Sequence, residues 1–371
     1  MFEIDIKSLQ TDRQRIVWID SLKGFAIIFV VLGHALFDFA HNHTYPTSMD
    51  VLQLARHWVY SWHMPIFFML SGITFRLSKL QSHRLSTRKI GHSTLNLLLI
   101  YLIFQVVPTL LKFICSPFFN NTIKPSRLIK MIFLPSTFMW YLWVLIIYDW
   151  LFGWMYYIKF ENHDKRKMPL YFITLMGISC LATFLSKSVF LHMLCLCNLL
   201  RYGVFFAAGV YCKEWKPILR HKAVSIGAAV IVMLNTVYLT YAYLIAHSRN
   251  KWIYSFFTMA LNSIAVCVLL ITLFSRFPAI GENKWLTWLG KHSLIIYLLH
   301  VYFVGAMHTV TVKLHVGNPV VAVTAATLIP LAICSVTAWI IPNIPIVRLL
   351  FHPIAAVDAI SDKIHQKKNI R

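Results

Sequence analysis

The chain has 371 residues, 58% of them hydrophobic and only 13% charged, whereas soluble domains carry about 25% charged residues. That balance excludes an ordinary soluble domain. The formal charge of +22 would suit nucleic acid on a polar protein. No basic stripe with interleaved aromatics lies on a polar segment here, so nucleic acid is not expected as a partner and the basic residues read as topology signals.

Apolar windows of about 20 residues span a bilayer. Ten candidates follow one another at roughly 24–40, 58–75, 93–114, 138–158, 169–186, 198–212, 223–246, 253–274, 292–309 and 319–341. The expected fold is all-α, a polytopic transmembrane bundle of about ten spans. If the N-terminus is cytoplasmic, 25 Lys and Arg fall in the inside segments and 8 in the outside ones. Cytoplasmic loops collect Lys and Arg, so both termini are expected inside. Residues 1–371 are expected to form one domain with short cytoplasmic tails at about 1–15 and 353–371. The N-terminal stretch lacks the cleavage pattern of a signal peptide. The seven cysteines are scattered, with no second pair at zinc-ligand spacing, and no metal site is expected.

The first span carries the clearest chemistry. It reads KGFAIIFVVLGH from Lys23 to His34. Eleven residues make close to three helical turns, so Lys23 and His34 share a face about 16 Å apart along the axis. Asp38 lies one turn further on that face. Ionisable groups inside a membrane are costly and face the bundle interior or a wet cavity. A neutral imidazole can take a proton from a hydroxyl, and a carboxylate can fix its tautomer. The bland reading is a histidine that only bonds a neighbouring helix. A cation below and a carboxylate above favour catalysis, with His34 as general base and Asp38 as its orienter.

The second span opens WHMPIFFMLSG, Trp62 to Gly72, with His63 near its outer end. Pro65 reads equally as a helix-start proline or a kink, and Ser71–Gly72 as a close-packing surface. The sixth span contains Arg201. The ninth reads WLGKHSLIIYLLH, Trp288 to His300. His34 and His300 lie at comparable depth, which is compatible with one cavity. A structural hydrogen-bonding role for His300 is the alternative.

Together these stretches resemble the acyltransferase 3 family of integral-membrane O-acyltransferases. The segment IDSLKGFAIIFVVLGH resembles its first helix, a basic residue followed after ten residues by histidine, with Lys23 where many members carry arginine. HMPIFFMLSG, WYLW at Trp140–Trp143, FFAAG at Phe205–Gly209 and LGKHSLIIYLLH resemble later segments in order. The wording is most similar to the fucose 4-O-acetylase-like branch. Leading into the third span, STRKIGHSTLNLLLIYL departs from the family's arginine-rich run.

The resemblance implies transfer of an acetyl or related acyl group from cytoplasmic acyl-coenzyme A, such as acetyl-CoA, to a hydroxyl of a cell-envelope glycan or lipid-linked sugar. It implies a multi-pass protein of the cell membrane, with acyl-CoA as donor substrate and no permanently bound cofactor. His34 would be the catalytic residue and Lys23 would help hold the donor. Arg76, Arg88 and Lys89 would add cationic surface for the polyanionic donor. His63, His300 and Arg201 are the candidates for acceptor binding. Homo-oligomerisation is left open. A transporter or flippase of a glycan precursor is the main alternative, since buried ionisable groups also mark pathways. A scaffold partner of an envelope-polymer synthase is the third.

Overall fold

A computed structural model describes residues 16–81, 84–85, 87–114, 139–155, 173–175, 177–178, 181, 196–219, 221–246, 261–341, 344 and 351. The described chain is helical, apart from a two-residue antiparallel ladder of β1 (Leu80–Gln81) with β2 (Arg84–Leu85). Five helices are long and apolar enough to cross a membrane: Val17–His41, Lys89–Leu110, Lys222–Ile245, Ser293–Lys313 and Pro319–Ile340. Shorter apolar helices, Trp140–Gly153, Cys197–Val210 and Ser263–Arg276, coincide with three more of the expected spans. The expected span at 169–186 lies almost wholly outside the described residues, as do both tails.

By contact, the chain divides into two compact units. The first comprises Met1–Leu77, Met168–Leu185 and Leu200–Val336, and the second Ser78–Lys167, Ser186–Leu199 and Thr337–Arg371.

In the first unit the central element is α1 (Val17–His41). Its neighbours are α2 (Met49–Tyr60), α9 (Ser263–Arg276), α10 (Pro278–Gly281), α11 (Lys284–Lys291) and α12 (Ser293–Lys313). Leu22, Ala26, Val31, Ala35 and Phe39 of α1 are fully buried. The approach to α11 is backbone to backbone. A Cβ added to Gly24 would stand 1.9 Å from the Leu286 carbonyl oxygen, and one on Gly290 would stand 1.7 Å from that of Asp20. Small residues let membrane helices approach this closely. The pair α3 (His63–Lys79) and α6 (Leu196–Val210) repeats the device, with Gly72 against Phe206 and Gly209 against Met69.

The second expected span is interrupted. α2 ends at Tyr60, and α3 starts at His63 after a turn at Ser61–Trp62. Pro65 explains the break. Inside a continuous helix its ring would clash with the carbonyl four residues earlier, that of Ser61, whereas the first turn of a helix tolerates proline. The freed Ser61 carbonyl accepts instead from the Ser263 hydroxyl. The Ser61 hydroxyl donates to the Trp58 carbonyl at 2.7 Å and accepts from the Asn262 amide at 2.9 Å. The proline thus turns one expected span into the end of α2 followed by α3, and His63 becomes the first residue of α3.

Also in the first unit, α7 (Cys212–Leu219) leads into α8 (Lys222–Thr240), which continues as a π turn, Tyr241–Ile245. That turn carries Tyr243 to His57 of α2, where the hydroxyl and Nδ1 are hydrogen-bonded at 2.6 Å. The helix α13 (Pro319–Ile340) completes the long apolar set.

The second unit is built on α4 (Thr87–Ile114) packed against α5 (Trp140–Met155). Lys79 forms a buried ion pair with Asp149, and both hydrogen-bond the Ser93 hydroxyl. Trp150 Nε1 donates to the Thr94 hydroxyl at 2.8 Å.

Candidate functional site

His34 sits midway along α1, where its ring meets that of His300 on α12 edge to face, with centroids 4.9 Å apart. The two helices run in the same direction, since Phe39 further along α1 contacts His308 further along α12 at 4.8 Å. This alignment brings the two histidines to one depth. His63 lies within electrostatic range of both. Three histidines from α1, α3 and α12 therefore converge.

Their hydrogen bonding differs in a way that matters for chemistry. His63 Nδ1 lies 2.8 Å from the Val59 carbonyl oxygen. His300 Nδ1 lies 2.7 Å from the Tyr297 carbonyl oxygen and 3.1 Å from that of Ile296. A carbonyl only accepts, so in each ring the hydrogen is on Nδ1 and the neutral imidazole keeps Nε2 as an acceptor. His300 is fully buried, and no described group donates to its Nε2. His34 is half-buried, and neither ring nitrogen hydrogen-bonds a described residue. The centre thus holds one imidazole free to exchange a proton beside two whose tautomers are set by backbone. Among the described residues, no group of three His, Cys, Asp or Glu side chains could hold a metal ion.

One turn above His34, Asp38 faces a different set of groups. Its charged neighbours are His41 and His308, and its side chain makes no hydrogen bond to His34. His308 Nε2 in turn hydrogen-bonds the Thr44 hydroxyl at 3.0 Å, and the Tyr45 hydroxyl donates to the Val316 carbonyl at 2.5 Å. Asp38 therefore belongs to a polar cluster at the far end of α1. On the face of α1 turned away from His34, Phe25 and Phe29 pack against Trp58, Trp62 and Phe274, with Phe29 and Trp62 centred 4.8 Å apart. This aromatic wall anchors α1.

Lys23 is half-buried near the start of α1. Arg76 is buried and donates to the carbonyl of Val210, the last residue of α6, at 3.2 Å. Such a contact caps a helix C-terminus. Arg201 is half-buried on α6 next to Tyr202, whose ring stacks on Phe68 at 5.0 Å. In the second unit Arg88 lies in the first turn of α4, and exposed Lys89 donates to the Ser78 carbonyl at 3.1 Å.

Residue spacing alone did not reveal the Lys79–Asp149 ion pair or the Tyr243–His57 bond. Asp149 carried a usable signal, a carboxylate inside an apolar span. The Tyr243–His57 pair joins distant segments and had none.

A helical chain with several membrane-length apolar helices and a buried histidine centre defines a membrane protein with the means for proton-transfer chemistry. The profile of the acyltransferase 3 family, described as an acyltransferase domain, matches residues 16–339. The chain belongs to that family, whose members are transferases acting on acyl groups. No curated protein and no solved structure matches it.

Proposed function

We propose that this protein is a multi-pass O-acyltransferase of the cell membrane, with about ten spans and both termini cytoplasmic. It moves an acetyl or related acyl group from acyl-CoA to a hydroxyl of a cell-envelope glycan or lipid-linked sugar. The observation that carries this reading is His34, an imidazole whose nitrogens hydrogen-bond no described residue, beside His300, whose Nε2 can only accept.

His34 takes the proton of the acceptor hydroxyl as its oxygen attacks the thioester carbon. The tetrahedral intermediate collapses by breaking the carbon–sulfur bond. The imidazolium returns its proton to the departing thiolate, leaving an ester and free coenzyme A. General-base catalysis of this kind is worth about 10²–10⁴-fold.

Lys23, three turns along the same face towards the cytoplasm, meets the anionic donor. Arg76 adds positive charge for it, and Arg88 and Lys89 carry the same charge in the second unit. Acceptor hydroxyls reach His34 from the opposite side, past Asp38, with His63, His300 and Arg201 as acceptor contacts. Asp38 serves as a positioning residue on that route.

Membranes holding wild type or His34→Ala at matched abundance, supplied with acetyl-labelled coenzyme A, test the reading. Label should enter base-labile, glycan-linked ester with wild type and not with the variant. Full transfer by His34→Ala would remove His34 from the reaction.

A further inference from the structure

The histidine centre contains one more polar atom than deprotonation needs. His300 Nε2 is a bare acceptor by tautomer, is fully buried, and receives no hydrogen bond from any described group. A buried polar atom left unmatched destabilises the protein unless something donates to it. The ring is also held firmly, by two backbone carbonyls of its own helix. A histidine that only joined helices would spend its second nitrogen on a neighbouring helix, and His300 does not. Its ring instead stands 4.9 Å from that of His34, turned by 63°.

Two imidazoles side by side can each meet one hydroxyl of the same acceptor when those hydroxyls sit on neighbouring carbons. We propose that the acceptor is a diol at the reacting position: one hydroxyl gives its proton to His34 and is acylated, and the adjacent hydroxyl donates a hydrogen bond to His300 Nε2 and is not acylated. This rests on the assignment of His34 as the base and adds the chemical class of its substrate. The second hydroxyl keeps its proton throughout, so the transfer balances as before. His300 is then a specificity residue, which excludes alcohols lacking the neighbouring hydroxyl. A site built to bond a hydroxyl discriminates strongly against the analogue without it, because its own polar group is left unmatched.

The test uses membranes containing the full chain, acetyl-labelled coenzyme A, and two shape-matched probes, cis-cyclohexane-1,2-diol and cyclohexanol. Labelling of the native envelope acceptor is read in the same samples. With wild type, the diol should be esterified roughly 10- to 100-fold faster than the mono-alcohol, the range set by one lost hydrogen bond and one unmatched buried acceptor. His300→Phe should collapse that ratio towards one. His300→Gln, which keeps an acceptor oxygen, should retain part of it. Equal rates for the two probes with wild type would overturn the proposal, as would no ester from either while the native acceptor is labelled. A preference that survives His300→Phe would overturn it too, because a structural role changes both rates together. Loss of native labelling in His34→Ala is scored separately and judges the base assignment alone.

Discussion

Replacing Gly290 by alanine sets two effects of opposite sign against each other. Alanine favours a helix over glycine by up to about 1 kcal/mol. Against that, the new Cβ would stand 1.7 Å from the Asp20 carbonyl oxygen, half the 3.4 Å at which ordinary contact begins. The obstacle is backbone, with Gly24 N also only 2.9 Å from the new Cβ, so no side-chain rotation relieves it. α1 and α11 must separate by more than an ångström. Overpacking of this kind costs about 1–3 kcal/mol and occasionally more, so the steric term exceeds the propensity gain. A displacement of α1 is also felt at His34, since a misplacement of about 1 Å can cost 10²-fold in rate. Thermal unfolding in detergent should show a lower midpoint for Gly290→Ala, and acyl transfer should fall further than abundance does. Gly305→Ala is the control, with nothing within 4 Å of the added Cβ, and should be neutral or slightly stabilising. If Gly290→Ala unfolds and transfers like wild type, the backbone-to-backbone contact between α1 and α11 is refuted.

The buried pair in the second unit should respond asymmetrically. Removing only Asp149 or only Lys79 leaves an uncompensated buried charge and should cost about 3–5 kcal/mol, whereas Lys79→Met with Asp149→Leu should cost far less; equal midpoints for single and double variants would argue against the pair. Arg76→Gln should lower the unfolding midpoint through loss of the Val210 cap and raise the KM for acetyl-CoA, and an unchanged KM would remove Arg76 from donor binding. His57 lies on α2, outside the apolar spans. Burial first, then the charge of Arg56, pushes its pKa down to about 4 against a small opposing effect of the Gln53 carbonyl. The unfolded chain, with an ordinary histidine pKa of about 6.5, takes the proton first. The His57 contribution is therefore complete above that value and erodes as the pH falls towards 4. Unfolding midpoints across this window should slope less in His57→Asn, and parallel slopes would exclude His57 as the cause.

The legible part of this protein was the part written in local pattern. Apolar runs and the Lys23-to-His34 spacing depend only on helix geometry and the cost of charge in lipid. They were readable in α1 and α12 before any contact was known, and the ordered segments from Lys23 to His300 carried the family. Pro65 was readable only halfway. The residue announces either a helix start or a kink, and the choice went to a start because the Ser61 carbonyl found the Ser263 hydroxyl, 202 positions away in sequence. Asp38 shows the same limit. An i, i+4 spacing permits a bond to His34, but Asp38 makes none and lies within electrostatic range of His41 and His308 instead.

By itself, then, the sequence determined the membrane character, the helix class and the family, because these follow from composition and from periodicities a few residues long. Only the tertiary structure decided which histidines share a centre and which of their nitrogens are spoken for. Those facts arise where α1, α3 and α12 meet, and the parallel alignment of α1 with α12 is set by side-chain contacts between residues more than 250 positions apart. Packing of that kind leaves no trace in local spacing.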